Sequence, residues 1–142
     1  MLEGQRLATW TRFLKAHSAI SRRLERDLAD EHGLTLSDYD VLVQLSLAPG
    51  RSLRPVELAR AVLLTRSGIT RLVQGLERAG FVERVACPED ARGYLVGLTA
   101  DGLELIRSAR ETHLEGVAEL FSDRYSDEEL EDLARLLDRL PS

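Results

Sequence analysis

Hydrophobic residues recur every three or four positions over most of the chain, which is the spacing of amphipathic α-helices. The first such segment extends from Gln5 to His32 and is ended by Gly33, a residue type that commonly follows a helix C-terminus. At 1.5 Å per residue, a helix of this length is about 40 Å long. Its apolar positions are Trp10, Phe13, Leu14, Ile20, Leu24 and Leu28.

Two shorter helices are predicted to follow, each from a residue type that is common at the start of a helix. The first is expected to begin after a Ser37 cap and to run to about Leu47, before the turn-forming pair Pro49–Gly50. The second lies in the stretch PVELARAV, where Pro55 suits the first helical position because its missing N–H is not needed there.

A further helix, called helix 65–80 below, is predicted between a Thr65 cap and a stop at Gly80. Its apolar side chains share one stripe at 100° per residue: Ile69, Leu72, Val73 and Leu76. The short connection to the preceding helix is typical of a helix-turn-helix.

The hydrophobic period changes from about 3.6 to 2 immediately after Gly80. The stretch FVERV alternates apolar and polar residues, the turn-rich stretch CPEDARG follows, and YLVGL forms a second short apolar run. This pattern predicts a β-hairpin. A hairpin directly after a helix-turn-helix forms a wing, so the central part of the chain is predicted to be a winged helix-turn-helix.

Two more helices complete the predicted fold. Thr99 caps a long one, and a capping box from Ser126 to Glu129 opens the last. Their apolar positions are Leu103, Ile106, Leu114, Val117, Leu120 and Phe121 in the first, and Leu130, Leu133, Leu136, Leu137 and Leu140 in the second. The predicted fold class is therefore mainly α with a small β-hairpin wing.

The terminal helices predict a homodimer. A helix of about 40 Å is longer than a winged unit of some 65 residues is wide, so its apolar stripe cannot be buried within one chain. A second copy would cover it, and closed two-fold dimers are the commonest oligomers. We therefore expect one domain over 1–142, with a winged unit at 34–99 and dimerisation helices at 1–33 and 100–142.

The outward stripe of helix 65–80 is polar and carries no acidic residue. Its side chains, called the polar face below, are Ser67, Thr70, Arg71, Gln74 and Arg78. A solvated helix face is the simplest explanation of such a stripe, and the distribution of charge argues against it.

Net charge is −5, but it is unevenly distributed along the chain. Residues 51–98 contain eight arginines and five acidic residues, and are the only net-positive third, at +3. Residues 1–50 carry −1 and residues 99–142 carry −7. This asymmetry favours an anionic partner for the middle of the chain, and it would orient the molecule in the field of that partner.

The polar face has the chemistry needed in a groove of double-stranded DNA. Arg71 can donate two hydrogen bonds to a guanine edge or bind a phosphate, while Ser67 and Thr70 are short enough to let the helix approach the bases. Arg66 lies at the edge of the stripe, where a backbone phosphate is expected. The positive end of the helix dipole adds to this attraction.

The hairpin supplies a second candidate contact. Arg92 is expected at the tip, where an arginine can enter the adjacent minor groove. Asp90, two residues earlier, is expected to hold that guanidinium in place.

Other protein classes find little support. No apolar run approaches the roughly 20 residues of a membrane span, and the N-terminus lacks the pattern of a signal peptide, so we expect a cytoplasmic protein. The single cysteine, Cys87, is consistent with a reducing compartment. No spacing of His and Cys fits a metal site, and no nucleophile, base or phosphate-binding loop is recognisable, so we expect neither a cofactor nor an enzyme.

The sequence resembles the multiple-antibiotic-resistance regulator (MarR) family of winged helix-turn-helix transcription factors. The motifs that carry the resemblance are LTLSDYDVLVQL, RPVELARAVLLTRSGITRLVQGLERAGFVER and PEDARGYLVGLT. It extends from Leu7 to Leu140, and the Asp-x-Arg at the wing tip is its most specific element. The family often has a second arginine at the wing tip, which is absent here.

The resemblance implies a dimeric transcriptional regulator, a repressor, that binds a pseudo-palindromic operator with its recognition helices in successive major grooves. It also implies that a small molecule or an oxidant releases the DNA, and that the effector binds where the terminal helices meet the winged unit. The candidate pocket residues are Trp10, Phe13, His17, Tyr39 and His113.

Three alternatives stay open. His17 and His113 fall within the apolar stripes of the terminal helices, so they also suit a subunit interface. Cys87 is either an inert half-buried thiol or a sensor whose thiolate Arg84 and Arg92 would favour. The alternative function is a winged-helix module that binds another protein, for which an exposed apolar patch on helix 65–80 is expected.

Overall fold

The computed structural model describes residues 3–62, 64–90 and 92–141. Residues 1, 2 and 142, the outer ends of the predicted domain, lie outside this description, as does residue 91 of the predicted hairpin loop. Within these ranges, six α-helices and three β-strands follow in the order α1 Gln5–His32, α2 Leu36–Leu47, β1 Ser52–Leu53, α3 Pro55–Ala61, α4 Arg66–Arg78, β2 Val82–Ala86, β3 Tyr94–Leu98, α5 Ala100–Leu120 and α6 Asp127–Leu137. Helix 65–80 is α4.

Most predicted helix ends are confirmed by hydrogen bonds at the caps. Gly33 ends α1 in the left-handed conformation, with φ 66°. Thr65 Oγ1 accepts a hydrogen bond from the backbone N of Gly68 at 3.1 Å, which caps α4. The hydroxyls of Thr99 and Ser126 cap α5 and α6 in the same way.

The predicted start of α2 is wrong by two residues. Thr35, not Ser37, is the N-cap: its hydroxyl accepts from the backbone N of Asp38, and the Asp38 carboxylate accepts from the backbone N of Thr35, both at 3.0 Å. Ser37 and Thr35 are each followed by an aspartate three positions later, so local sequence allows either start. The earlier one is used because the turn after Gly33 buries Leu34 to 3% exposure and begins the next helix at once.

The wing contains one strand more than the sequence predicted. β3 lies in the centre of the sheet, paired antiparallel with β2 on one side and with β1 on the other. In the β2–β3 pair Val82 lies opposite Leu98, and in the β1–β3 pair Ser52 lies opposite Gly97. β1 was not predicted because two residues are too few to show a hydrophobic period.

The hydrophobic core lies between α2, α3, α4, the sheet and α5. Its fully buried side chains are Leu28, Val41, Leu42, Leu45, Leu58, Ile69 and Val96. Ile106 and Ala109 of α5 belong to the same core, at 4% and 0% exposure. The terminal helices therefore contribute side chains to the core of the winged unit.

The ends of the molecule leave apolar side chains uncovered. Among its described residues, α1 buries only Leu24 and Leu28, and α6 buries none. The large hydrophobic side chains of α1 and of residues 125–140 that are at least 39% exposed, called the terminal apolar surface below, are Leu7, Trp10, Phe13, Leu14, Tyr125, Leu136, Leu137 and Leu140. Such a surface is typical of an interface with another molecule.

Candidate nucleic-acid interface

The two sides of α4 have the environments that the sequence predicts. Ile69, Val73 and Leu76 are buried at 5% exposure or less. On the opposite side the polar face lies at the surface, with Thr70 half-buried and Ser67, Arg71, Gln74 and Arg78 exposed. The buried stripe fixes the rotation of the helix, and so determines which side chains point outward.

The polar face borders a shallow concavity at the N-terminal half of α4. Its lining residues are Thr65, Arg66, Ser67, Thr70, Arg71 and Gln74. Five of the seven residues proposed from sequence to contact DNA are thus neighbours on one surface. The other two, Asp90 and Arg92, belong to the wing.

Hydrogen bonds within α4 use some of the polar groups but leave the arginines available. Thr70 Oγ1 donates to the Arg66 carbonyl oxygen at 2.9 Å, and the hydroxyls of Thr65 and Ser67 are 3.3 Å apart. The ion pairs found within residues 3–62, 64–90 and 92–141 do not involve Arg66 or Arg71. Their guanidinium groups can therefore bind an external anion without first losing an acidic partner.

The wing tip differs from the expectation for Asp90. Its carboxylate Oδ1 accepts a hydrogen bond from the backbone N of Arg92 at 2.9 Å, and its carbonyl oxygen accepts from the backbone N of Gly93 at 3.2 Å. Asp90 thus shapes the turn, and no ion pair with the Arg92 guanidinium is found in the described part of the chain. The short side chain of an aspartate bonds more readily to the backbone N–H two residues later than to the guanidinium at the end of a long arginine side chain.

The arginine nearest Cys87 is neither of the two that sequence proximity indicated. Arg54, at the start of α3, places Nη2 3.4 Å from Cys87 Sγ and 3.8 Å from the Glu89 carboxylate. Arg84 instead donates to Glu77 of α4. Arg54 precedes Cys87 by 33 positions, so only the fold brings the two together.

The five candidate effector residues do not form one pocket. Tyr39 and His113 line a groove of about 460 Å³ between α2 and α5. Phe13 and His17 line a second groove of about 350 Å³ between α1 and α6. Trp10 is 52% exposed beside Phe13, at 6.0 Å between ring centroids, and lines neither groove.

The α2–α5 groove contains titratable groups that sequence reasoning missed. Its walls include Arg51, Arg107 and Arg110, which come from the turn after α2 and from α5. The spacing of Arg107, Arg110 and His113 at every third position of one helix could have indicated a shared face. Arg51 comes from a different segment, so nothing local linked it to the others.

The imidazole of His113 is a titratable group of this groove with an unmet hydrogen-bonding requirement. Its ring lies against Tyr39, at 4.5 Å between centroids, and Nδ1 is buried without a hydrogen-bond partner. Burial lowers the pKa of His113, against the opposing effect of the Asp40 carboxylate. Burial likewise raises the pKa of Asp40, against the opposing effect of His113.

Within the described residues, no group of three His, Cys, Asp or Glu side chains is arranged to hold a metal ion. No helix in that part of the chain combines the length and apolar character needed to cross a bilayer.

Comparison with known proteins gives a consistent result. A family model described as MarR family matches residues 32–93. The regulator PapX of Escherichia coli is 35% identical over 68% of this chain and 59% of its own length. The repressor YetL of Bacillus subtilis is 32% identical over 74% of this chain and 62% of its own. The match thus spans less than two thirds of either relative.

Solved structures of similar proteins cover more of the chain. Sco3205 of Streptomyces coelicolor, a MarR family transcriptional regulator in complex with DNA, is 31% identical with a TM-score of 0.91, over 97% of this chain and 86% of that one. AbsC of the same organism, also a MarR family regulator, is 32% identical with a TM-score of 0.90, over 96% and 92%.

Proposed function

The chain belongs to the MarR family of transcriptional regulators, and from that premise we propose that it is a homodimer that binds double-stranded DNA at a pseudo-palindromic operator and represses transcription. The relatives reported above are transcriptional regulators, not enzymes. The observation that carries the proposal is the polar face of α4. Apart from the half-buried Thr70 this face is exposed, and it has no acidic residue. It includes Arg71, which, like the neighbouring Arg66, has no ion-pair partner in the described part of the chain.

In the proposed complex α4 lies in the major groove. A groove about 12 Å wide admits one α-helix, and the short side chains Ser67 and Thr70 let the backbone approach the base edges. Arg71 and Gln74 then read bases, and Arg66 binds a backbone phosphate. Arg92 at the wing tip enters the neighbouring minor groove, and Asp90 contributes by holding the turn on which Arg92 is placed.

The terminal apolar surface supports the homodimer. α1 has 28 residues and is therefore about 42 Å long, yet every residue of its first half is exposed. A second copy would bury this surface together with α6. Such a dimer would read half-sites one helical turn apart if its two α4 helices are about 34 Å from each other.

An effector that binds the α2–α5 groove would release the DNA. The groove contains Tyr39 and His113 and adjoins the turn that leads into β1, so a ligand there touches both the dimer helix α5 and the winged unit. It must bind the released state more tightly than the DNA-bound state, or the equilibrium does not move. We assign Trp10, Phe13 and His17 to the dimer surface instead.

The first experiment is selection of bound sequences from a random duplex pool. We expect a two-fold-symmetric site with half-sites about one helical turn apart. On that duplex Arg71→Ala should weaken binding at least about tenfold, because each dimer loses two contacts worth about 1–3 kcal/mol each. Arg92→Ala should also weaken binding and reduce the salt dependence.

Arg139→Ala is the matched control, since it removes the same charge from the C-terminal segment beyond α6 and should leave affinity nearly unchanged. Light scattering should give the mass of a dimer for all four proteins. If Arg71→Ala and Arg92→Ala both bind the selected duplex like the parent, the assigned surface is wrong. If the parent selects no sequence and is not retained by random duplex, DNA binding itself is wrong and the protein-interaction module becomes the better account.

A further inference from the structure

One arginine of the wing connects three elements at a single point. Arg84 of β2 donates from Nε to the Glu77 carboxylate of α4 at 3.2 Å. Its Cζ atom lies 4.7 Å from the centroid of the Tyr94 ring on β3. Arg84 lies opposite Val96 in the strand register, so it occupies the sheet face that packs against the core.

The chemistry of this contact requires an arginine. A planar guanidinium can stack on an aromatic ring with its face while donating a hydrogen bond from its edge. A lysine in the same place can make only one of these contacts with good geometry. The arrangement therefore constrains the direction of Arg84, and with it the relative position of Glu77 and Tyr94.

The contact lies between the two surfaces proposed to bind DNA. Arg71 is on α4, six residues before Glu77, and Arg92 is at the tip of the hairpin that begins two residues before Arg84. Binding groups on two different elements act together only when the supporting contacts hold them in one geometry. Glu77, Arg84 and Tyr94 are placed to do this for the recognition helix and the wing.

We propose that the Glu77–Arg84–Tyr94 contact positions the wing relative to α4, so that Arg92 reaches DNA while Arg71 is seated in the major groove. This inference rests on the proposed DNA-binding function. Glu77 and Arg84 are positioning residues: they act through Arg92 and need not touch DNA themselves. The contact of Arg54 with Cys87 and Glu89 anchors the loop after β2 to α3 and is independent of this one.

Removal of the Glu77 carboxylate is a sharp test, because two explanations predict opposite changes in the affinity for DNA. It is an acidic residue on the helix that faces a polyanion, so by charge alone its removal should tighten DNA binding. If Glu77 positions the wing, its removal should weaken binding despite the more favourable charge. Glu83 supplies the matched control, because it is an exposed acid on the opposite face of β2.

The experiment measures affinity for the duplex selected above, with the parent and the variants Glu77→Ala, Glu83→Ala, Arg92→Ala and the double variant Glu77→Ala/Arg92→Ala. We expect Glu77→Ala to bind about three- to tenfold more weakly and Glu83→Ala to bind as the parent or more tightly. In the Arg92→Ala background, removing Glu77 should cause no further loss, since the contact acts through Arg92.

Three results would overturn the inference while leaving DNA binding intact. These are Glu77→Ala binding as tightly as the parent, an equal loss in both backgrounds, or an equal loss for Glu83→Ala. Arg84→Lys provides a second reading at unchanged net charge, and it should weaken binding about as much as Glu77→Ala. Thermal unfolding at one protomer concentration checks that each variant is folded. Failure of the parent to bind the selected duplex would instead refute the proposed function.

Discussion

Replacement of Gly102 by alanine tests how closely the wing and the dimer helix α5 are packed. A Cβ atom at Gly102 would lie 2.1 Å from the carbonyl oxygen of Phe81 and 2.7 Å from Cδ1 of Leu98. The Phe81 oxygen cannot easily move, because it accepts a hydrogen bond from the backbone N of Thr99 at 3.1 Å. The Thr99 hydroxyl in turn donates to the Gly80 carbonyl oxygen at 2.7 Å.

The size of the effect follows from the overlap. Carbon–oxygen contacts normally begin at about 3.3 Å, so the added methyl group requires a backbone shift of about 1 Å. Overpacking of a rigid site costs about 1–3 kcal/mol, and the upper part of that range applies when the obstacle is backbone. The higher helix propensity of alanine offsets at most about 1 kcal/mol of this cost. We expect a net loss of about 2 kcal/mol, which lowers Tm by roughly 6–8 °C in a chain of this size.

Gly75→Ala is the matched control, because Gly75 is also helical and a Cβ there meets nothing within 4 Å. It should raise stability by about 0.5–1 kcal/mol through propensity alone. Both variants are measured by thermal unfolding at one protomer concentration, since dimer stability depends on concentration. A Gly102→Ala protein that unfolds at or above the temperature of the parent would show that α5 moves away from Phe81 without cost, contrary to the reasoning.

Two further predictions concern α2 and its neighbour α5. Thr35→Ala should cost about 1 kcal/mol in chemical denaturation and Ser37→Ala much less, because only Thr35 forms the capping box with Asp38; equal losses would contradict the assigned cap. Burial lowers the pKa of His113 in the folded protein. As the pH falls, the unfolded chain therefore takes up a proton on this imidazole at a higher pH than the folded protein does, so Tm should decrease as the pH is lowered from 7.5 to 5.5. His113→Gln should reduce this fall, and an unchanged pH dependence would exclude His113 as its source.

The polar face of α4 could be predicted because it depends on local rules. Its four apolar positions share one stripe, and the buried stripe leaves only one side for Arg71 and its neighbours. The same reasoning located the turn that presents Arg92. It assigned the wrong partner to the Asp90 carboxylate, because spacing indicates which residues are near each other and does not choose between a backbone N–H and a side chain.

The groupings that depend on distant residues could not be predicted. Tyr39 and His113 share a groove, while Phe13 and His17 line another, although the sequence predicts one pocket for all four. Arg54 reaches Cys87 across 33 positions, which no local pattern records. The two residues of β1 form a strand only because they pair with β3.

For this protein the sequence alone determined the order of the helices, most of their ends and which side of each is apolar. Those properties arise from caps, turns and periodicity within about four residues of each position. Tertiary packing fixed which residues distant in sequence meet: Arg84 lies between Glu77 and Tyr94, His113 lies against Tyr39, and Gly102 lies close to the carbonyl oxygen of Phe81. These contacts depend on how the elements pack in three dimensions, and many residue pairs distant in sequence satisfy the same local pattern.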